Sequence, residues 1–235
     1  MWQNKDAFHT NIQDTNWWWG KVRLEIISDI IKDIKVKNIL EIGAGYGSMT
    51  KMLSSFGNVK AIEPDDGAAK YLKDKFGIDT YHGTFESFSE TERYELVTCF
   101  DVLEHIKNDK EALFKMESLI TDKGTLIITV PAYMFLWSKH DEVNYHYRRY
   151  TENGLISKLP KNLVIKRISY FNTLLFPMAV IDKLFLSKEN KSYSLSPNKL
   201  VNEILYRLFV IEKYILRYHD LPFGVSILLV VEKNG

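Results

Sequence analysis

The chain has one cysteine, Cys99, in 235 residues. A single thiol excludes an intramolecular disulfide and a thiolate metal cluster, and the setting to expect is a reducing cytoplasm. Charge of one sign is missing too: 31 Lys and Arg stand against 30 Asp and Glu, a formal net charge of +1. That balance offers no general field to nucleic acid, so none is expected as a partner. Met1 to Thr15 lack the basic start and apolar core of an export signal. Long hydrophobic runs are absent as well. Phe171–Leu186 is interrupted by Asn172, Thr173, Pro177, Asp182 and Lys183, so nothing reaches the ~18 apolar residues of a spanning helix. There is no internal repeat and no low-complexity tract, and the most linker-like stretch is Ser187–Lys199.

What is present is a composition that is 46% hydrophobic, enough to bury a sizeable core in one large α/β domain spanning 1–235. Its most informative run is Ile39-Leu40-Glu41-Ile42-Gly43-Ala44-Gly45-Tyr46-Gly47-Ser48-Met49-Thr50. Residues 38–42 read as a buried parallel strand, and Tyr46 to Phe56 repeat apolar groups at helical spacing through Met49, Met52, Leu53 and Phe56. The glycines therefore lie in a strand-to-helix turn. Glycine there permits positive φ or close approach to a ligand, and the free N–H groups of the following helix face that ligand.

The elements alternate βα along the rest of the chain. Helices are expected over Gly67–Phe76, Asp109–Ile120 and Glu152–Leu159, and strands over Val59–Ile62, Ile78–His82, Glu95–Phe100, Thr125–Val130, Leu163–Ser169 and Val225–Glu232. Seven strands with right-handed crossovers make a doubly wound, mostly parallel sheet, with ligands outside the carboxyl ends of the first strands.

A dinucleotide fingerprint wants Gly-x-Gly-x-x-Gly, and its last glycine is here Ser48. The spacing Glu41-x-Gly43-x-Gly45-x-Gly47 instead resembles the first motif of class I S-adenosylmethionine (SAM) methyltransferases. The second strand ends in Glu63-Pro64-Asp65, where an acid accepts both ribose hydroxyls. The resemblance covers nearly the whole chain and implies SAM as cofactor, held by Glu41, Gly43, Gly45, Gly47, Glu63, Pro64 and Asp65. It also implies a seventh, antiparallel strand inserted between the fifth and sixth.

Three further places resemble a bacterial subgroup of that family. Trp17-Trp18-Trp19 with Arg23 is similar to an aromatic pair plus arginine preceding the first helix there, which would make Trp18 a substrate contact; the alternative is plain packing of an N-terminal helix. Phe100-Asp101-Val102-Leu103-Glu104-His105 is similar to the family's Val-Leu-Glu-His signature and implies cofactor contacts from Phe100, Asp101 and Val102. It lacks the paired prolines of DNA amino-group methyltransferases. At Gly83-Thr84-Phe85 many relatives carry an acid where Thr84 stands, so adenine would rest on Thr84, Phe85 and backbone groups.

The third place follows the fifth strand: Tyr133, then His140-Asp141, then His146-Tyr147-Arg148-Arg149-Tyr150-Thr151. Histidine accepts protons near neutral pH and paired arginines hold phosphate or carboxylate. His140, His146 and Asp141 are the catalytic candidates, and Tyr133, Arg148, Arg149 and Tyr150 the substrate-binding ones. The alternative gives the arginines to helix carboxylates and makes Thr151 an N-cap. No third ligand stands out beside the His–Asp pair, so no metal site is expected.

About fifty residues separate the sixth and seventh strands, far more than a plain connection uses. The expected organisation is an N-terminal helical cap (1–37), a SAM-binding core (38–170), a helical lid insertion (171–222) and a final strand (223–235). The 171–219 helices offer a lid, a membrane-surface contact or a dimer contact, so the chain is expected as a monomer or homodimer. The function that follows is methyl transfer from SAM, preferably to an oxygen of a small polar or anionic metabolite, a sugar or a lipid-linked glycan intermediate. An NAD-dependent oxidoreductase and a non-catalytic SAM-binding regulator are the alternatives.

Overall fold

The computed structural model describes residues 17–186 and 199–235. The polar start Met1–Thr15 and nearly all of the linker-like Ser187–Lys199 lie outside the described residues. In chain order the elements begin with α1 (Trp18–Ile31), β1 (Asn38–Ile42), α2 (Ser48–Leu53), β2 (Asn58–Glu63), α3 (Asp66–Phe76) and β3 (Asp79–His82). They continue with β4 (Tyr94–Phe100), α4 (Asp109–Ser118), β5 (Ile120–Pro131), α5 (Lys139–Val143), α6 (Glu152–Ile156), β6 (Leu163–Phe171) and α7 (Phe176–Ile181). The last are α8 (Lys199–Phe209), α9 (Ile211–Leu216) and β7 (Ser226–Lys233). These seven strands are the mostly parallel set expected of the fold class.

The chain divides into two compact units, one of Met1–Phe88 with Lys191–His219 and one of Ser89–Asn190 with Asp220–Gly235. In the first, the strands run in parallel in the order β3-β2-β1. Ile42 of β1 stands opposite Ile62 of β2, so the glycine loop and Glu63 leave the sheet at one edge. Start and stop signals bound α3 cleanly: the Asp65 carboxylate accepts from the Ala68 N–H at 2.8 Å, and Gly77 closes the helix at φ 64°.

The second unit carries β4-β5-β7-β6. β4 and β5 are parallel, whereas β7 is antiparallel to both β5 and β6 and lies between them. Its sequence Ser-Ile-Leu-Leu-Val-Val is buried throughout, the near-continuous apolar pattern of a strand covered on both faces.

Two expectations are corrected. Trp18 and Arg23 lie inside the first helix rather than before it, because Trp17 already takes the extended N-cap conformation. β5 begins at Ile120, five residues earlier than read, and the Lys123-Gly124 turn is a bulge within it: pairing with β4 jumps from Tyr94↔Ile120 to Leu96↔Thr125, and Lys123 has φ 60°. Among the described residues no helix is long and apolar enough to cross a membrane.

Candidate functional site

Gly43, Gly45 and Gly47 all take positive φ, at 76°, 55° and 87°. At Gly47 a Cβ would stand 2.6 Å from Cδ2 of Leu72 in α3. The loop is pinned at its root by Gly43 N–H donating to the Ile62 carbonyl at 2.8 Å. At its crest, Gly45 N–H donates to Glu63 Oε2 at 2.7 Å, and Asp65 N–H donates to Oε1 at 2.8 Å. Each Glu63 oxygen thus holds one loop amide and keeps a further lone pair for a ligand hydroxyl. Burial pushes the Glu63 carboxyl up against those bonds.

Glu41 lies beneath the loop, fully buried. Burial pushes its pKa up to about 8, with Thr50 and Arg23 countering from alongside, so this carboxyl is mostly protonated at neutral pH. Asp65 caps α3 and Pro64 is half-buried. The Thr84 side chain is exposed, with its hydroxyl 3.4 Å from the Ser87 N–H, whereas Phe85 is buried. Trp18 is buried too. Its ring packs on Phe209 at 4.6 Å, and its backbone N–H donates to Asn202 Oδ1 at 2.9 Å, the geometry of the packing alternative.

In the second unit, β4 ends at a strained residue. Asp101 takes φ 53°, its N–H donates to the Thr129 carbonyl at 2.9 Å, and its carboxylate accepts from the Thr129 hydroxyl at 3.0 Å. Phe100 is buried and Val102 half-buried. Tyr133, after β5, is likewise left-handed at φ 58° and stacks on Tyr170 at 5.0 Å; burial pushes its phenol above the ordinary range. Non-glycine outliers of this kind gather where a site constrains the chain.

The structure brings Asp141, His146 and Arg149 together. Asp141 is completely buried, and its Oδ1 is 2.9 Å from His146 Nδ1. Arg149 donates from Nε to Oδ1 at 2.8 Å and from Nη2 to Oδ2 at 2.9 Å. Ser138 N–H donates to Oδ2 at 2.8 Å, completing a capping box on α5. Burial pushes this carboxyl up, yet the His146 and Arg149 bonds outweigh it and hold Asp141 well below the usual carboxylate range. Asp141 is therefore an anion that orients its neighbours and is too weak a base to take a proton itself. With Nδ1 committed to it, His146 is left with Nε2 as its proton-accepting atom.

The other candidates of this segment make other contacts. His140 is exposed on α5, with its ring about 3 Å from Asn144 Nδ2 and its centroid 6.2 Å from that of His146. Arg148 pairs with Asp109 at 2.7 Å and donates to the Lys107 carbonyl. The buried Tyr150 hydroxyl donates to Asp109 at 2.9 Å, and Lys158 approaches the same carboxylate at 2.8 Å. Burial raises Asp109, but Lys158 and Arg148 outweigh it and lower the carboxyl. Arg148 and Tyr150 thus belong to a packed ion-pair cluster, and Thr151 caps α6 through the Gly154 N–H. The sequence reading passed over Asp109, whose only signal was an acid at a helix start. It also passed over a trio: Glu104, His105 and His146 bring their ligand-type atoms within 4.8 Å of one another.

A family model described as a methyltransferase domain matches residues 19–172. Among curated relatives, the ubiquinone biosynthesis O-methyltransferase of Rickettsia bellii is 29% identical over 148 residues, covering 54% of this chain and 62% of that protein. The mitochondrial ubiquinone biosynthesis O-methyltransferase of Schizosaccharomyces pombe is 24% identical over 52% of this chain and 53% of its own length. The chain thus spans about three-fifths or less of these relatives. Among solved structures, N-methyltransferase NodS from Bradyrhizobium japonicum WM9 with S-adenosyl-L-homocysteine superposes at a TM-score of 0.62, with 14% identity over 99% of this chain and 94% of that one. The plantazolicin methyltransferase BpumL with the same product gives 0.61 at 14% identity, over 97% and 89%. These low identities speak to fold alone. The family match answers the choice between NAD and SAM in favour of SAM, and with the glycine loop, Glu63 and the inserted antiparallel β7 it shows that this chain belongs to the methyltransferase-domain family, with the class I SAM-dependent fold.

Proposed function

We propose that this chain transfers the methyl group of SAM to an oxygen of a small acceptor, with His146 taking the proton. One observation carries the reading: the Asp141–His146 pair at 2.9 Å, locked by two further bonds from Arg149. In the reaction the acceptor oxygen attacks the methyl carbon in line, the carbon–sulfur bond breaks, and its electron pair returns to sulfur as S-adenosyl-L-homocysteine forms. A hydroxyl acceptor gives its proton to His146 Nε2. Asp141 stabilises the imidazolium that results, as a buried anion beside a charged ring does. Most of the rate comes from alignment, for which about 7–11 kcal/mol is the general ceiling.

An oxygen acceptor is supported by the curated relatives, which are named O-methyltransferases. An anionic acceptor draws less support, since Arg148 and Arg149 already hold Asp109 and Asp141. Among the expected acceptors, a neutral hydroxyl on a small polar metabolite, a sugar or a lipid-linked glycan intermediate fits best. The test is a methyl-transfer assay with labelled SAM and a panel of hydroxylated acceptors. His146→Gln should lower kcat about 10²- to 10⁴-fold with SAM affinity kept, while His140→Ala stays near the parent. SAM binding with no turnover on any acceptor would favour a regulator instead.

A second reading is favoured by the Glu104, His105 and His146 trio. A carboxylate and two imidazoles are a donor set suited to a divalent cation, which would lower the acceptor's own pKa and occupy His146. Turnover that survives chelator supports the base, and turnover abolished by chelator and restored by a divalent ion supports the cation.

A further inference from the structure

Aromatic rings stand in a row of contacts where β5 and β6 end. Between ring centroids, Phe135 lies 5.3 Å from Tyr133, Tyr133 lies 5.5 Å from Phe176, and Phe176 lies 5.4 Å from Phe223. The chain supplies them from three separate places: Tyr133 and Phe135 follow β5, Phe176 opens α7 after β6, and Phe223 precedes β7. Strand register brings them together, because Pro131 and Phe171 both stand opposite Ser226. Two details tighten the junction. The Thr173 hydroxyl donates to the Phe223 carbonyl at 2.5 Å, and at Gly224 a Cβ would collide with the Phe171 carbonyl.

Packing alone does not explain the row. Phe135 is 53% exposed and Phe223 41%; single exposed rings are ordinary, but rings in mutual contact make the kind of patch that marks a binding surface. Tyr133 adds strain. Its φ of 58° with ψ of 115° lies outside the regions an L-residue takes without cost, and such outliers persist where neighbours fix them. Here the Tyr133 N–H donates to the Tyr150 carbonyl at 2.7 Å, and the buried Tyr170 stacks on its ring.

The segment beside the row says what covers it. Arg149, which holds Asp141 and through it His146, donates from Nη1 to the Ala132 carbonyl at 3.3 Å and from its backbone N–H to Met134 Sδ at 3.1 Å. Those two residues flank Tyr133, so the row begins where the proposed base is anchored. The Tyr133 hydroxyl bonds to Tyr170, which leaves ring surface as the main thing the row offers. A fully polar molecule would lose its water there without replacement, whereas a hydrocarbon gains by the contact.

We infer that Tyr133, Phe135, Phe176 and Phe223 seat the acceptor, and that the acceptor carries a hydrocarbon body beside the hydroxyl that is methylated. This rests on the proposed reaction, whose acceptor it narrows. The three phenylalanines are then specificity-determining residues: they set acceptor affinity and leave the proton to His146.

The probes are octyl β-D-glucoside, kept below its micelle-forming concentration, and methyl β-D-glucoside, the same sugar without the chain. Calorimetry follows their binding to the full chain and to the double variants Phe135→Ser/Phe223→Ser and Ile204→Glu/Ile211→Glu. All of these positions are exposed, so both variants should keep their melting temperature and SAM affinity. The second variant controls for exposed isoleucines elsewhere that an alkyl chain could wet. The octyl probe should bind about tenfold or more tightly than the methyl one, lose about tenfold in the first variant and be unchanged in the second. Equal binding of the two probes overturns the inference, as does no binding or a loss confined to the second variant. A concentration-dependent dimer that the first variant dissociates, without probe binding, overturns it in favour of a second copy. For an acceptor found with labelled SAM, the first variant should raise KM about tenfold and keep kcat within about twofold; a fallen kcat at unchanged KM overturns the specificity role. Probe binding in the expected pattern without turnover of any acceptor fells the reaction alone, and turnover without probe binding fells the inference alone.

Discussion

Arg149 holds both oxygens of Asp141, with Nε 2.8 Å from Oδ1 and Nη2 2.9 Å from Oδ2, while the same Oδ1 lies 2.9 Å from His146 Nδ1. The guanidinium fixes the plane of the carboxylate, and the carboxylate fixes the imidazole. Arg149 is thus a positioning residue. Arg149→Lys keeps the charge and loses the planar fork, so turnover should fall by about tenfold while SAM affinity is kept. A turnover rate equal to the parent's would remove Arg149 from the mechanism.

Asp141→Asn should lower kcat by more than about 10²-fold, because the amide can no longer hold the imidazole in the tautomer that frees Nε2. It also removes an anion whose pKa lies below the usual range. A depressed carboxyl contributes stability at neutral pH that is lost as pH falls through its folded value. The acid side of the melting profile should therefore be less steep in the variant, which thermal melts across acidic buffers would show.

Glu41 runs the other way. Its folded pKa of about 8 lies above the ordinary 4.5, so folding favours the protonated carboxyl. Its contribution is full below the unfolded value, declines as the unfolded chain ionises, and is gone once pH passes about 8. Glu41→Gln should flatten that decline and melt higher than the parent near pH 8; melting curves that stay parallel would show Glu41 ionised in the fold.

Glu63→Ala should weaken SAM binding at least tenfold by calorimetry, through lost ribose contacts and a loosened Gly45 amide. Gly47→Ala should cost about 1–3 kcal/mol of stability by denaturant melting, since its φ of 87° and the Leu72 contact oppose any Cβ.

Trp18→Ala tests packing against substrate contact. With its ring 4.6 Å from Phe209, the truncation should cost about 3–5 kcal/mol of stability. A stable variant with raised acceptor KM would return Trp18 to the substrate.

The strands and the glycine loop were legible because local pattern decides them. The run Ile39–Ile42, the Glu63 strand end and the buried β7 each carry their signal within a few residues. Even the antiparallel β7 came from resemblance rather than periodicity. The acceptor segment was legible only as composition: His140, Asp141, His146 and Arg149 were singled out, but nothing local says that Asp141 turns to His146 while His140 turns to Asn144. Glu104 joins His146 across 42 positions and Asp109 joins Tyr150 across 41, separations at which sequence spacing carries no information. The orientation of α8 is set at long range as well: Glu25, far earlier in the chain, holds its Tyr206 side.

The sole thiol of the chain, Cys99, is buried in β4, and burial pushes its pKa well above the ordinary value. It is therefore a poor target for maleimide chemistry in the folded protein. A cysteine placed at Ile204 or Ile211 would be the one reactive handle, so a polarity-sensitive dye can be put on the outer helices of an otherwise native chain.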